Sequence, residues 1–178
     1  MQSQAFVALA NSALPDAARA ALCAELASAA AGMCAGKGTG HRRDRASGRV
    51  RHRVAGTPGT VAGRLRELLR ASLRMGAIAA GADAASRAAL DRFADALGLA
   101  FQVRDDLLDV EGESATLGKT AGKDAARAKP TFPALIGIEA SRARLDALAD
   151  DMREALSMLA ADTSALAALG RMAIERDR

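Results

Sequence analysis

The chain has 178 residues, half of them apolar, with no Trp or Tyr and a formal charge of +4. Ala and Leu dominate and strand formers are sparse, which excludes a sheet-based fold and predicts an all-α chain of one ordinary domain. No apolar run reaches the roughly 18 residues that a membrane span needs, and no basic start with a continuous apolar core marks a signal peptide. The two cysteines, Cys23 and Cys34, have neither metal-site nor disulfide-framework spacing and read as small buried helix residues. A cytoplasmic protein is expected.

In chain order, residues 3–13 and 17–35 read as helices separated by Leu14-Pro15-Asp16. Pro15 is disfavoured inside a helix, and Asp16 can cap the next one. Leu22, Leu26 and Met33 form a plausible buried stripe. Residues 36–60 show no helical or strand period and hold both histidines, several glycines and Pro58, so they read as a loop. The positive charge is local: residues 37–66 carry nine of the 25 basic residues and one acid, net +8, which leaves −4 for the rest. Helical periodicity returns near Val61 and runs to Ala80, and Gly81 marks a stop. A long helix follows from about Ser86 to Val110, burying Leu90, Phe93, Leu97 and Phe101. Residues 111–129 read as a connection rich in Gly and Lys. Pro130 and Pro133 suit the first turn of a further helix, bent near Gly137 and ending near Ala160. Asp162 or Thr163 caps a last helix that ends near Arg176.

The chemistry lies in Phe101-Gln102-Val103-Arg104-Asp105-Asp106-Leu107-Leu108-Asp109. On a helix Asp105 and Asp109 share a face at i,i+4, and Asp106 and Asp109 at i,i+3. Three like charges within so short a stretch cost helix stability unless a cation meets them. Placed near a helix C-terminus they also oppose the dipole. Hard oxygen ligands suit Mg²⁺, which takes one or two protein carboxylates together with substrate phosphates. The residues by themselves point to a Mg²⁺-bridged phosphate or diphosphate site.

The acids are followed by Leu117-Gly118-Lys119, Gly122-Lys123-Asp124 and Lys129-Pro130-Thr131-Phe132-Pro133-Ala134-Leu135. The composite resembles the second aspartate-rich motif of the trans-isoprenyl diphosphate synthases (polyprenyl synthetases), nearest their bacterial farnesyl diphosphate branch. Terpene cyclases and squalene-type synthases share the acidic logic but fit these strings less well. The resemblance implies a partial isoprenoid-synthase helical bundle. It also implies a Mg²⁺-dependent prenyltransferase that joins an allylic diphosphate to isopentenyl diphosphate. By position, Asp105, Asp106 and Asp109 match its metal-facing acids. Gln102, Lys119 and Lys129 match residues beside the diphosphate, and Asp124 matches an acid that contacts metal-bound water. Arg176-Asp177-Arg178 resembles the basic tail that some members place over the site entrance, although as a sequence it reads as a frayed helix end.

The resemblance has gaps. The first of the family's two aspartate-rich motifs is absent, and Ala5-Phe6-Val7-Ala8-Leu9-Ala10 resembles the helix after it. Residues 1–178 are thus expected to be a C-terminal portion of a synthase domain. The family pattern stops at Gly36 and resumes at Glu67, and the Arg- and Gly-rich residues between fit a shifted reading frame of GC-rich DNA, which sequencing of the gene would test. The chain alone is expected to be poorly folded or self-associated, with little or no prenyl transfer activity. Two states are expected of it: a homo-oligomer, or a non-catalytic helical partner of a complete synthase. Nucleic-acid binding through the arginines of 41–53 is not expected, because no stacking aromatics accompany them.

Overall fold

The computed structural model describes residues 2–35, 61–116 and 131–177. Seven helices form: α1 Gln2–Ala10, α2 Asp16–Ala35, α3 Val61–Ala79, α4 Ala84–Thr116, α5 Phe132–Ile136, α6 Ile138–Ser157 and α7 Ser164–Glu175. No strand occurs among the described residues. The all-α expectation holds, and the departures at helix ends have local causes.

Helix α1 stops at Ala10, short of residue 13. Asn11 Nδ2 and Ser12 Oγ donate back to the Val7 and Leu9 carbonyls, and Arg19 Nη1 covers the Ala10 carbonyl at 2.8 Å. These side chains satisfy orphan carbonyls of the last turn and so end the helix. Helix α3 stops as expected before Gly81, whose φ of +66° is easy only for glycine. Asp83 Oδ1 then accepts from the Ser86 amide at 2.7 Å and caps α4, a bond that holds the Asp83 carboxyl below its ordinary range. The single bent helix expected after Pro130 is two helices, because Gly137 turns the chain with a φ of +87°. At the start of α7, Asp162 accepts from the Ser164 amide at 2.9 Å, whereas Thr163 makes no side-chain cap.

Helix α4 is the axis of the bundle. It packs on α3, α6, α7 and α5, while α2 covers α3 and α1 lies against α2. Its inner stripe of Phe93, Leu97, Ala100, Val103 and Leu107 meets Leu145, Leu148, Met152 and Leu156 of α6 and Ala173 of α7. The steps of three and four residues are the spacing of one helix face. Of the apolar residues expected in α4, Phe93 and Leu97 are buried, and Leu90 and Phe101 are half-buried.

Small residues let α3 approach closely. A Cβ at Gly98 would lie 2.9 Å from Arg66 Cγ and 3.2 Å from Arg66 Cα. Ion pairs fix the same face. Arg74 binds both oxygens of Asp91 at 2.6 and 2.8 Å and reaches Glu25 of α2 at 3.6 Å, and Arg70 pairs with Asp95. The Asp91 carboxyl is lowered by the Arg74 hydrogen bond, and the Arg74 guanidinium is raised in return. The two ion pairs of Arg74 thus tie α2, α3 and the N-terminal half of α4 together.

Candidate metal and diphosphate site

The acidic motif falls on the lower half of α4, which continues six residues beyond the expected end, to Thr116. Asp105, Asp106 and Asp109 therefore lie inside the helix. Their conflict with the helix dipole is weaker than at a terminus, because that effect fades beyond the last turn. Like-charge crowding remains.

The three acids have different surroundings. Asp106 falls three residues after Val103 and beside Leu107, on the apolar stripe, and is only 1% exposed. Its Oδ1 accepts from Gln102 Nε2 at 2.6 Å, one turn earlier, and its Oδ2 accepts from the Phe132 amide at 2.9 Å. A buried carboxylate is tolerated when hydrogen bonds satisfy it. Asp106 thereby pins the first residue of α5 to α4. The pairing also engages Gln102, which the resemblance placed beside a diphosphate.

Asp105 turns the other way, and its side chain is 48% exposed. One oxygen receives Arg176 Nη2 at 2.8 Å. The Arg176 guanidinium lies 3.8 Å over the Phe101 ring and also donates to the Phe101 carbonyl at 3.4 Å. Arg104 Nε in turn donates to the Arg176 carbonyl at 2.9 Å, and Arg104 Nη2 lies 3.9 Å from Asp177. Arg176 is thus no frayed end: its side chain is 22% exposed and seated on α4. The sequence offered its tail resemblance, but not its partner.

Asp109 is exposed and makes no ion pair or hydrogen bond among the described residues. Further along, Glu111 receives Arg142 of α6 at 3.0 Å, a bond that raises the guanidinium. Lys119, Asp124 and Lys129 lie outside the described residues. The chain leaves α4 at Thr116 and is back beside Asp106 at Phe132. Those two points lie about 15 Å apart along α4, from the helical rise over ten residues.

No three His, Cys, Asp or Glu side chains gather at a common point among the described residues. The donor set nevertheless fits Mg²⁺ in one respect. Asp105 and Asp109 present hard carboxylate oxygens on one accessible face, and Mg²⁺ needs no more than one or two such groups when phosphates complete its shell.

The polyprenyl synthetase family profile matches residues 1–166. The chain belongs to this family. It is 40% identical over 194 aligned positions to the farnesyl diphosphate synthase of Escherichia coli K12, covering all of this chain and 61% of that protein. It is 38% identical over 111 positions to the farnesyl diphosphate synthase of Geobacillus stearothermophilus, covering 62% of this chain and 37% of that one. In three dimensions it superposes on a candidate farnesyl-diphosphate synthase from Marinomonas sp. MED121 with a TM-score of 0.68 and 26% identity, over 98% of this chain and 59% of the other. A geranylgeranyl pyrophosphate synthetase from Geoglobus acetivorans shares the fold, with a TM-score of 0.66 and 20% identity, over 98% of this chain and 63% of that one. As a polyprenyl synthetase the chain thus spans about three fifths, or less, of the length of these relatives.

Proposed function

We propose that the chain binds isoprenoid diphosphates with Mg²⁺ and serves prenyl transfer of the farnesyl type, joining an allylic diphosphate to isopentenyl diphosphate. The observation that carries this reading is the accessible pair Asp105 and Asp109 on one face of α4, in a chain of the polyprenyl synthetase family. These two carboxylates are the proposed Mg²⁺ ligands. Mg²⁺, when bound, offsets the negative charge that builds on a departing diphosphate. Lys119 and Lys129 supply compact positive charge to the same diphosphate, and Asp124 contacts metal-bound water. Asp106 and Gln102 serve from below: their hydrogen bonds hold the start of α5 against α4.

Calorimetry of Mg²⁺ with inorganic diphosphate tests the site. Binding that requires both Mg²⁺ and Asp105 supports it. A helical chain that binds nothing, or an Asp105→Ala variant that binds as well as wild type, rejects it.

A second reading is a non-catalytic helical partner of a complete synthase, or of a second copy of this chain. It is supported by the exposed apolar side chains Val7, Leu68 and Met172, at 59%, 43% and 69% exposure. Exposed apolar surface of this kind commonly marks association. Co-purification with a complete synthase, without turnover of geranyl and isopentenyl diphosphates, favours this reading over the first. No helix among the described residues is long and apolar enough to cross a membrane, and a cytoplasmic location is proposed.

A further inference from the structure

We propose that Arg176 is a displaceable cation, one that holds the Asp105 carboxylate until a divalent metal takes it, so that loading the site frees the end of α7. This rests on the reading of Asp105 as a Mg²⁺ ligand. Four contacts converge on one residue. Arg176 Nη2 reaches Asp105 at 2.8 Å and the Phe101 carbonyl at 3.4 Å. Its guanidinium covers the Phe101 ring at 3.8 Å, and Arg104 holds its carbonyl at 2.9 Å. Arg176 lies just past α7, with φ −58° and ψ 138°, so contacts with α4 rather than helical bonds hold it in place.

The seat is well placed but incomplete. Arg176 Nε is buried and has no hydrogen-bond partner among the described residues. An unmade bond of that kind weakens the docked state. The oxygen that Arg176 occupies belongs to a half-exposed carboxylate, so an incoming cation can reach it. Arginine and metal repel each other there, and each must weaken the other's hold by the same factor. A half-exposed ion pair with a cation–π contact gives a coupling of about tenfold in affinity. The end of α7 thus reports on the acidic face of α4, through a contact between residues 71 apart in sequence.

The test uses the full chain, with Mg²⁺ and inorganic diphosphate as the probe. Calorimetry compares wild type, Arg176→Gln and Asp105→Ala. Amide exchange over residues 170–177 is followed in each, with and without the probe. The expected result is about tenfold tighter Mg²⁺–diphosphate binding in Arg176→Gln. In wild type, exchange at the end of α7 should quicken when the probe is added. Metal-free Arg176→Gln should already show the fast rate. Asp105→Ala should show it with or without the probe. If Arg176→Gln and wild type bind equally, by an Asp105-dependent route, the latch is wrong while the metal site stands. Weaker binding in Arg176→Gln would make Arg176 a diphosphate ligand instead. If no variant binds, the metal site fails and the latch with it. Unchanged exchange in metal-free Arg176→Gln would show that the contact itself does not hold α7.

Discussion

Asp105 and Asp106 are neighbours in sequence with opposite surroundings. Asp106 is sealed in the core and accepts hydrogen bonds from Gln102 and from the Phe132 amide of another helix. Asp105 is half-exposed and meets the Arg176 guanidinium. The comparison extends to whole faces of α4. The inner face, with Val103, Asp106 and Leu107, serves packing and the placement of α5. The outer face carries Asp105 and Asp109, the proposed Mg²⁺ ligands. The three acids are thus divided between two faces by the rotation of about 100° between successive helical residues.

The comparison can be broken by substitution on either face. Leu107→Ala should have the largest effect on stability, about 2–5 kcal/mol by denaturant titration, because a fully buried side chain leaves a cavity. Asp106→Ala should follow at about 2–3 kcal/mol, since it removes a buried side chain and leaves the half-buried Phe132 amide and Gln102 side chain without their acceptor. Its signature should be faster amide exchange at Phe132. If Asp106→Ala leaves both unchanged, the clamp on α5 is not real. Gly98→Ala should cost about 1–3 kcal/mol, because the new methyl meets Arg66 down to its backbone and α3 must shift.

The ion pair between α3 and α4 gives a pH test. The Asp91 carboxyl is lowered in the folded chain, chiefly by the Arg74 hydrogen bond. Its contribution is complete above its unfolded value of about 3.9 and is lost as pH falls through the lower folded value. Partial exposure limits it to about 1 kcal/mol. Asp91→Asn should therefore flatten the loss of stability below about pH 4, measured by denaturation across acid pH. An unchanged acid limb would show that this bridge does not tie α3 to α4.

The smallest stability effect should come from Asp105→Ala, within about 0.5 kcal/mol of wild type by the same titration, because relief of like-charge crowding and the higher helix propensity of Ala offset the lost Arg176 contact. The same variant should nonetheless abolish Mg²⁺-dependent diphosphate binding. A variant that is badly destabilised would erase the contrast between the two faces.

Much of this was legible in the sequence. Apolar periodicity placed the helices, Pro133 and Gly137 marked the α5–α6 corner, and the strings around Asp105, Lys119 and Lys129 pointed to the family. The inward turn of Asp106 also left a signal, since it follows Val103 by three residues and precedes Leu107 on the buried stripe. The end of α4 at Thr116 was not legible, because Gly112 and the nearby charges read as a connection until neighbouring helices support that turn. The Arg142–Glu111 bridge supplies such support.

The sequence by itself determined an all-α chain, the family and the stretch of α4 that carries the acids, because local periodicity and motif spacing are properties of the chain alone. Only the tertiary structure decided which acid is buried and which is free. It alone seated Arg176 on Asp105 and gave Asp106 to the Phe132 amide. Those outcomes depend on contacts between residues 26 to 71 positions apart. Such pairings exist only once the helices have packed, and no local pattern encodes them.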